Sequence, residues 1–166
     1  MRISGSWVAL RRAWLIAGIV LAGSAAPGAQ AAPALAFPGA QGWAAHTPGG
    51  RGGKLIRVTN LNASGAGSLR EAIETQGPRT VVFEVAGTID LGREDIEIKE
   101  PFLTIAGQTA PSPGVTLIRG GVDIRAHDVV IRHVRVRVGD ADQPRFSWET
   151  DAMGTVGAAT DVIVDH

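Results

Sequence analysis

Residues 115–138 read VTLIRGGVDIRAHDVVIRHVRVRV, a run of four short apolar strands separated by small turns. Val115–Ile118, Val122–Ile124, Val129–Ile131 and Val134–Val138 are three to five residues long and rich in β-branched side chains. The same texture extends outward. Val81–Val85, Gly87–Leu91, Ile96–Ile98 and Leu103–Ile105 come before it and Val162–Val164 after it, with Gly, Pro, Asp or Asn between strands. The strongest apolar triplets start at 81, 103, 129 and 162, in steps of 22, 26 and 33 residues. A period near twenty that lengthens by insertion predicts a parallel β-helix, one rung per coil. A β-sandwich would also use short strands. Against it, no Asn-Gly or Asp-Gly hairpin turn separates the strands, and successive strands resemble one another. The last strand, ending in Asp165-His166, is expected to leave one end of the stack uncapped, with an exposed edge and poor solubility.

Within Val134–Val138 the valines point one way, and Arg135 and Arg137 the other. That outward row is read as a solvated face rather than as a binder of an acidic polymer.

Upstream, Leu55–Leu61 is a strand with Ile56, Val58 and Asn60 sharing a face. Ser68-Leu69-Arg70-Glu71 has the S-x-x-E spacing of a capping box, and Leu69, Ala72 and Ile73 share a helical face, so a two-turn helix should cap the stack. The loop Thr47–Lys54 is glycine-dense, but Pro48 and Leu55 stand where a phosphate-binding loop needs Gly and Ser or Thr. It is read as a tight turn, and Ala32–Trp43 as a linker and lead-in.

Residues 1–31 combine Arg2, Arg11 and Arg12 with the apolar stretch Ala13–Ala26 and the small-x-small triplet Ala29-Gln30-Ala31. They are expected to be a cleaved export signal, the apolar run being short for a membrane span of about 20 residues. Arg11-Arg12 weakly suggests twin-arginine export. The remaining domain, 32–166, loses three arginines and no acid, leaving 13 basic and 16 acidic side chains. That balance argues against a nucleic-acid partner, which would show a basic stripe, and no membrane partner is expected after cleavage. With no cysteine, an exported chain relies on its core alone.

Several stretches carry a family resemblance: Ala36–Gly42 (AFPGAQG), Gly49–Lys54 (GGRGGK), Val58–Leu61 (VTNL), Gly65–Ala72 (GAGSLREA), Gly87–Ile89, Leu103–Pro111 (LTIAGQTAP) and Val162–His166 (VIVDH). In order and spacing the chain resembles the N-terminal half of a bacterial pectate lyase, one of the calcium-dependent polysaccharide lyases. The resemblance implies an all-β, right-handed parallel β-helix with a short N-terminal capping helix, incomplete here. It also implies a secreted monomer that cleaves polygalacturonate by β-elimination, with Ca2+ as cofactor and an arginine as base. Asp151 matches the calcium-ligating aspartate, with Glu149 a weaker neighbour. Asp165 and His166 match the structural Asp-His pair. Arg132, Arg135 and Arg137 do not match the catalytic arginine, which is expected after His166, so the chain alone should be inactive. A non-catalytic β-helix module binding acidic polysaccharide is the alternative.

Overall fold

The structure, a computed structural model, describes residues 33–139 and 152–165. The expected export signal, Glu149, Asp151 and His166 lie outside those residues. In chain order the strands are β1 (Lys54–Val58), β2 (Arg79–Phe83), β3 (Gly87–Asp90), β4 (Ile96–Ile98), β5 (Leu103–Ala106), β6 (Val115–Ile118), β7 (Val122–Ile124), β8 (Val129–Arg132), β9 (Val134–Arg137), β10 (Met153–Thr155) and β11 (Val162–Asp165). A helix, α1 (Leu69–Glu74), lies between β1 and β2.

Three sheets form, ordered β1-β2-β5-β8-β11, β3-β6-β9 and β10-β7-β4, and every pairing is parallel. Each strand therefore pairs with the equivalent strand one coil away, as a parallel β-helix requires and a sandwich forbids. The cause is the two-residue side-chain period. Ile96 and Ile98, Val115 and Leu117, and Val122 and Ile124 are buried while the residues between them face outward. Stacked through the coils, these side chains make one continuous core with Val81, Leu103, Val129 and Ile131.

The coil alignment needs one correction. Leu103, Val129 and Val162 stand opposite one another as the triplets predicted, but their partner on β2 is Arg79, two residues before Val81. Arg79 is fully buried at an inward position. Its guanidinium donates to the carbonyls of Ile73, Gly77, Glu100 and Pro101, the last at 2.9 Å. It thus satisfies the C-terminal end of α1 and the following corner together, the acceptors that a helix end leaves open. Burial pulls its pKa below the ordinary arginine value, with Glu100 opposing.

Helix α1 covers β1, β2 and β4 with Leu69, Ala72 and Ile73, as the apolar spacing predicts. Ser68 accepts the Glu71 N–H at 3.2 Å. Glu71 reaches back to the Gly67 N–H at 2.7 Å instead of to Ser68, whose own N–H is taken by the Gly65 carbonyl.

Corners are cut by left-handed residues. Phe102, Asp128 and Asp161 have φ of 58°, 56° and 54° and each immediately precedes β5, β8 or β11, so the same bend recurs coil after coil. His133, at 53°, is the single residue between β8 and β9. Outside glycine this region is costly, and here the ladder holds it: Leu103 N–H donates to Asp128 and Val129 N–H to Asp161.

The glycine-dense segment does turn tightly, with Arg51 N–H on the Pro48 carbonyl and Gly53 N–H on the Gly50 carbonyl, both at 3.1 Å, and with the expected linker before it forms a strap across the outer face of the largest sheet. Phe37 stacks on the Arg132 guanidinium at 3.8 Å, Thr47 donates to Asp128 Oδ1 at 2.7 Å, and Gly50 N–H donates to Thr104 Oγ1 at 2.9 Å. A Cβ on Gly50 would lie 1.8 Å from the Arg79 carbonyl oxygen, and on Gly53 1.9 Å from that of Pro78. Glycine is required there because backbone meets backbone.

Candidate functional site

The outer face of the β10-β7-β4 sheet carries the densest row of paired charges. Glu97 on β4, Asp123 on β7 and Gly154 on β10 stand in register, because they alternate with the buried isoleucines and valines that set the inward face. Lys99 and Arg125 follow two residues on. Glu97 is gripped by Lys99 Nζ and by Arg125 Nε at 3.3 Å, and Arg125 Nη2 also meets Asp123 Oδ2 at 3.3 Å. The hydrogen bond from Lys99 is the chief reason the Glu97 carboxyl is held below its ordinary pKa. Beside this row opens a cavity of about 360 Å³ whose lining includes Ile73 and the charged residues Arg70, Glu74, Asp95, Glu97, Lys99 and Glu100. Arg70 is fixed there by the Asp95 and Glu94 carbonyls, both at 3.1 Å. Asp95 Oδ1 accepts the Gly121 N–H of the next coil at 2.6 Å.

Strand β10, which sequence reasoning passed over, joins this sheet through Ala152, whose carbonyl accepts the Val122 N–H at 3.1 Å. Its weak signal, Met-Gly-Thr, lacks the β-branched triplet of the other strands. Asp151 stands two residues before it in the chain but lies outside the described residues, as does Glu149.

Homology enters here. No protein-family profile matches the chain. Probable pectate lyases C from Emericella nidulans and Aspergillus flavus are 47% and 41% identical to it over 133 residues, 80% of this chain. One from Neosartorya fischeri is 42% identical over 139 residues. By sequence this chain is similar to these proteins named probable pectate lyases. It spans about three tenths of the length of these relatives (30%, 30% and 31%). They are fungal, which corrects the bacterial qualification expected from the motifs.

Asp165 accepts from Arg132 Nε at 2.7 Å, across the β8–β11 pair, with Phe37 on the guanidinium face. That triad ties the strap to two coils. Arg132 is thereby engaged in structure, and Arg135 donates to the Pro113 carbonyl at 2.8 Å on a different sheet from the charged row. His166 is outside the described residues. Asp90 is held below its ordinary pKa first by Arg119, which grips both its oxygens at 2.8 and 2.6 Å, and then by the Gly92 N–H.

Calcium needs six to eight oxygen ligands. Among the described residues no group of three acids or histidines is arranged to hold a metal, and Glu97 and Asp123 already face basic side chains. The described donor set does not by itself fit the ion. Nor is any helix among these residues long and apolar enough to cross a membrane.

Proposed function

We propose that this chain is part of a secreted lyase that cleaves polygalacturonate by β-elimination. The observation that carries this reading is 41–47% identity to probable pectate lyases over four fifths of the chain, on a scaffold of parallel coils. In this reading residues 1–31 are a cleaved export signal and 32–166 a monomeric β-helix domain. Asp151, two residues before β10 in the chain, is one calcium ligand.

Proton abstraction from a uronate needs a base beside the scissile ring and a countercharge for its carboxylate. Arg132 is committed to Asp165 and Arg135 to a carbonyl, so neither supplies the base. In this reading the base lies elsewhere, and the 166-residue chain by itself is expected to be inactive. Absorbance of unsaturated oligogalacturonates is the test. The longer polypeptide that the relatives' length implies should release product with calcium and lose at least tenfold in activity as Asp151→Asn, while 1–166 alone releases none. Calcium-dependent product from 1–166 alone would overturn the inactivity, and wild-type activity of the Asp151→Asn form would remove the ligand role. Retention on a polygalacturonate matrix without cleavage by the longer form would favour the binding-module reading instead.

A further inference from the structure

The turn from β1 to α1 contains Asn60-Leu61-Asn62-Ala63-Ser64, and the fold treats its two asparagines differently. Asn60 is used internally: its Nδ2 donates to the Ala66 carbonyl at 2.8 Å and its Oδ1 accepts the Asn62 N–H at 3.1 Å. Asn62 and Ser64 are exposed, and no hydrogen bond within the described residues engages either side chain. The backbone beneath them is nonetheless pinned. Thr59 N–H donates to Gly67, Ser68 N–H to Gly65, and Arg70 Nε to the Ala63 carbonyl at 3.2 Å. The loop therefore presents an Asn-Ala-Ser triplet outward whose amide and hydroxyl are both available, which is the acceptor pattern for N-linked glycan.

We propose that Asn62 is an N-glycosylation site. The donor is a polyprenyl-diphosphate-linked oligosaccharide, delivered by a membrane oligosaccharyltransferase. Asn62 Nδ2 attacks the anomeric carbon of the donor, the C–N bond forms as the bond from that carbon to the diphosphate oxygen breaks, and the amide proton passes to a transferase base. The polyprenyl diphosphate leaves with the electron pair. Because the transferase works during export, this inference rests on the secretion reading above. Asn60 cannot serve, since Asn62 occupies the position where a hydroxyl residue would be needed.

The test expresses the 1–166 chain in a yeast, once behind its own first residues and once behind a host leader, reading intracellular and secreted fractions alike. The expected result is a mass shift of one glycan that an N-glycan endoglycosidase removes. It should be abolished by Asn62→Gln and by Ser64→Ala, and retained in Ser64→Thr. A chain that enters the pathway behind the host leader without the shift overturns the proposal, and so does a shift that survives Asn62→Gln. A shift behind the host leader only would fault the export signal and leave Asn62 as the site.

Discussion

Arg79 shows how one side chain can replace a hydrophobic rung. It stands where the later coils carry Leu103, Val129 and Val162, yet its four carbonyl acceptors make the position polar and satisfied. Arg79→Met would fill similar volume and leave buried carbonyls without donors, so it should cost about 3 kcal/mol, measured by urea unfolding. Arg79→Lys should recover only part of that, because one ammonium cannot reach acceptors on both sides. Gly50→Ala belongs to the same scale. Its methyl group would collide with the Arg79 carbonyl, and backbone rather than a flexible side chain must move. A loss of about 2–3 kcal/mol is expected from the same unfolding measurement.

Among the elements, the strap and the charged corners depend on single polar contacts. Thr47→Val keeps the shape but removes the donor to Asp128 Oδ1 and should loosen the segment by about 1 kcal/mol. Limited proteolysis should then cut within residues 36–53 several-fold faster, with the coils intact; an unchanged cutting rate would mean that Thr47 does not hold the strap. The ion pairs of Asp90 and Glu97 predict an acid response. Both carboxyls have folded-state pKa values below the ordinary 3.8 and 4.5. Their contribution is therefore complete above those ordinary values and is lost as pH falls through the lower folded ones. Melting temperature should drop on acidification below about pH 4.5, less steeply in high salt because these groups are exposed. A melting temperature flat to pH 2.5 would contradict it.

For the molecule as a whole, stability should follow position in the stack, since each coil contacts only its neighbours. Strand β8 lies between β5 and β11 with Val129, Val130 and Ile131 all buried. Val164 on β11 is 55% exposed and Leu55 on β1 61%. Amide hydrogens of β8 should exchange slowest, and those of β1 and β11 at least tenfold faster, by native-state hydrogen exchange. Uniform protection across the sheet would argue for a single cooperative unit instead. The exposed edges and the fully exposed Trp43 also favour association at high concentration, which sedimentation would detect.

The architecture was legible because it rests on a local rule. β-branched residues at alternate positions must bury one face, and their recurrence forces like strands to stack, so Val115–Ile118, Val122–Ile124 and Ile96–Ile98 were readable to the residue. The α1 cap was readable for the same reason, since its partners lie three residues apart. Long-range arrangement decided the rest. Met153–Thr155 becomes a strand only because Val122–Ile124 offers it a free ladder, and Arg79 is buried only because the α1 end and the Pro101 corner converge on it. Motifs such as GGRGGK mark where the strap's backbone must touch the coils. Periodic burial is written along the chain, whereas a contact between distant backbones, such as Gly50 with Arg79, has no local signature and exists only once the coils have closed.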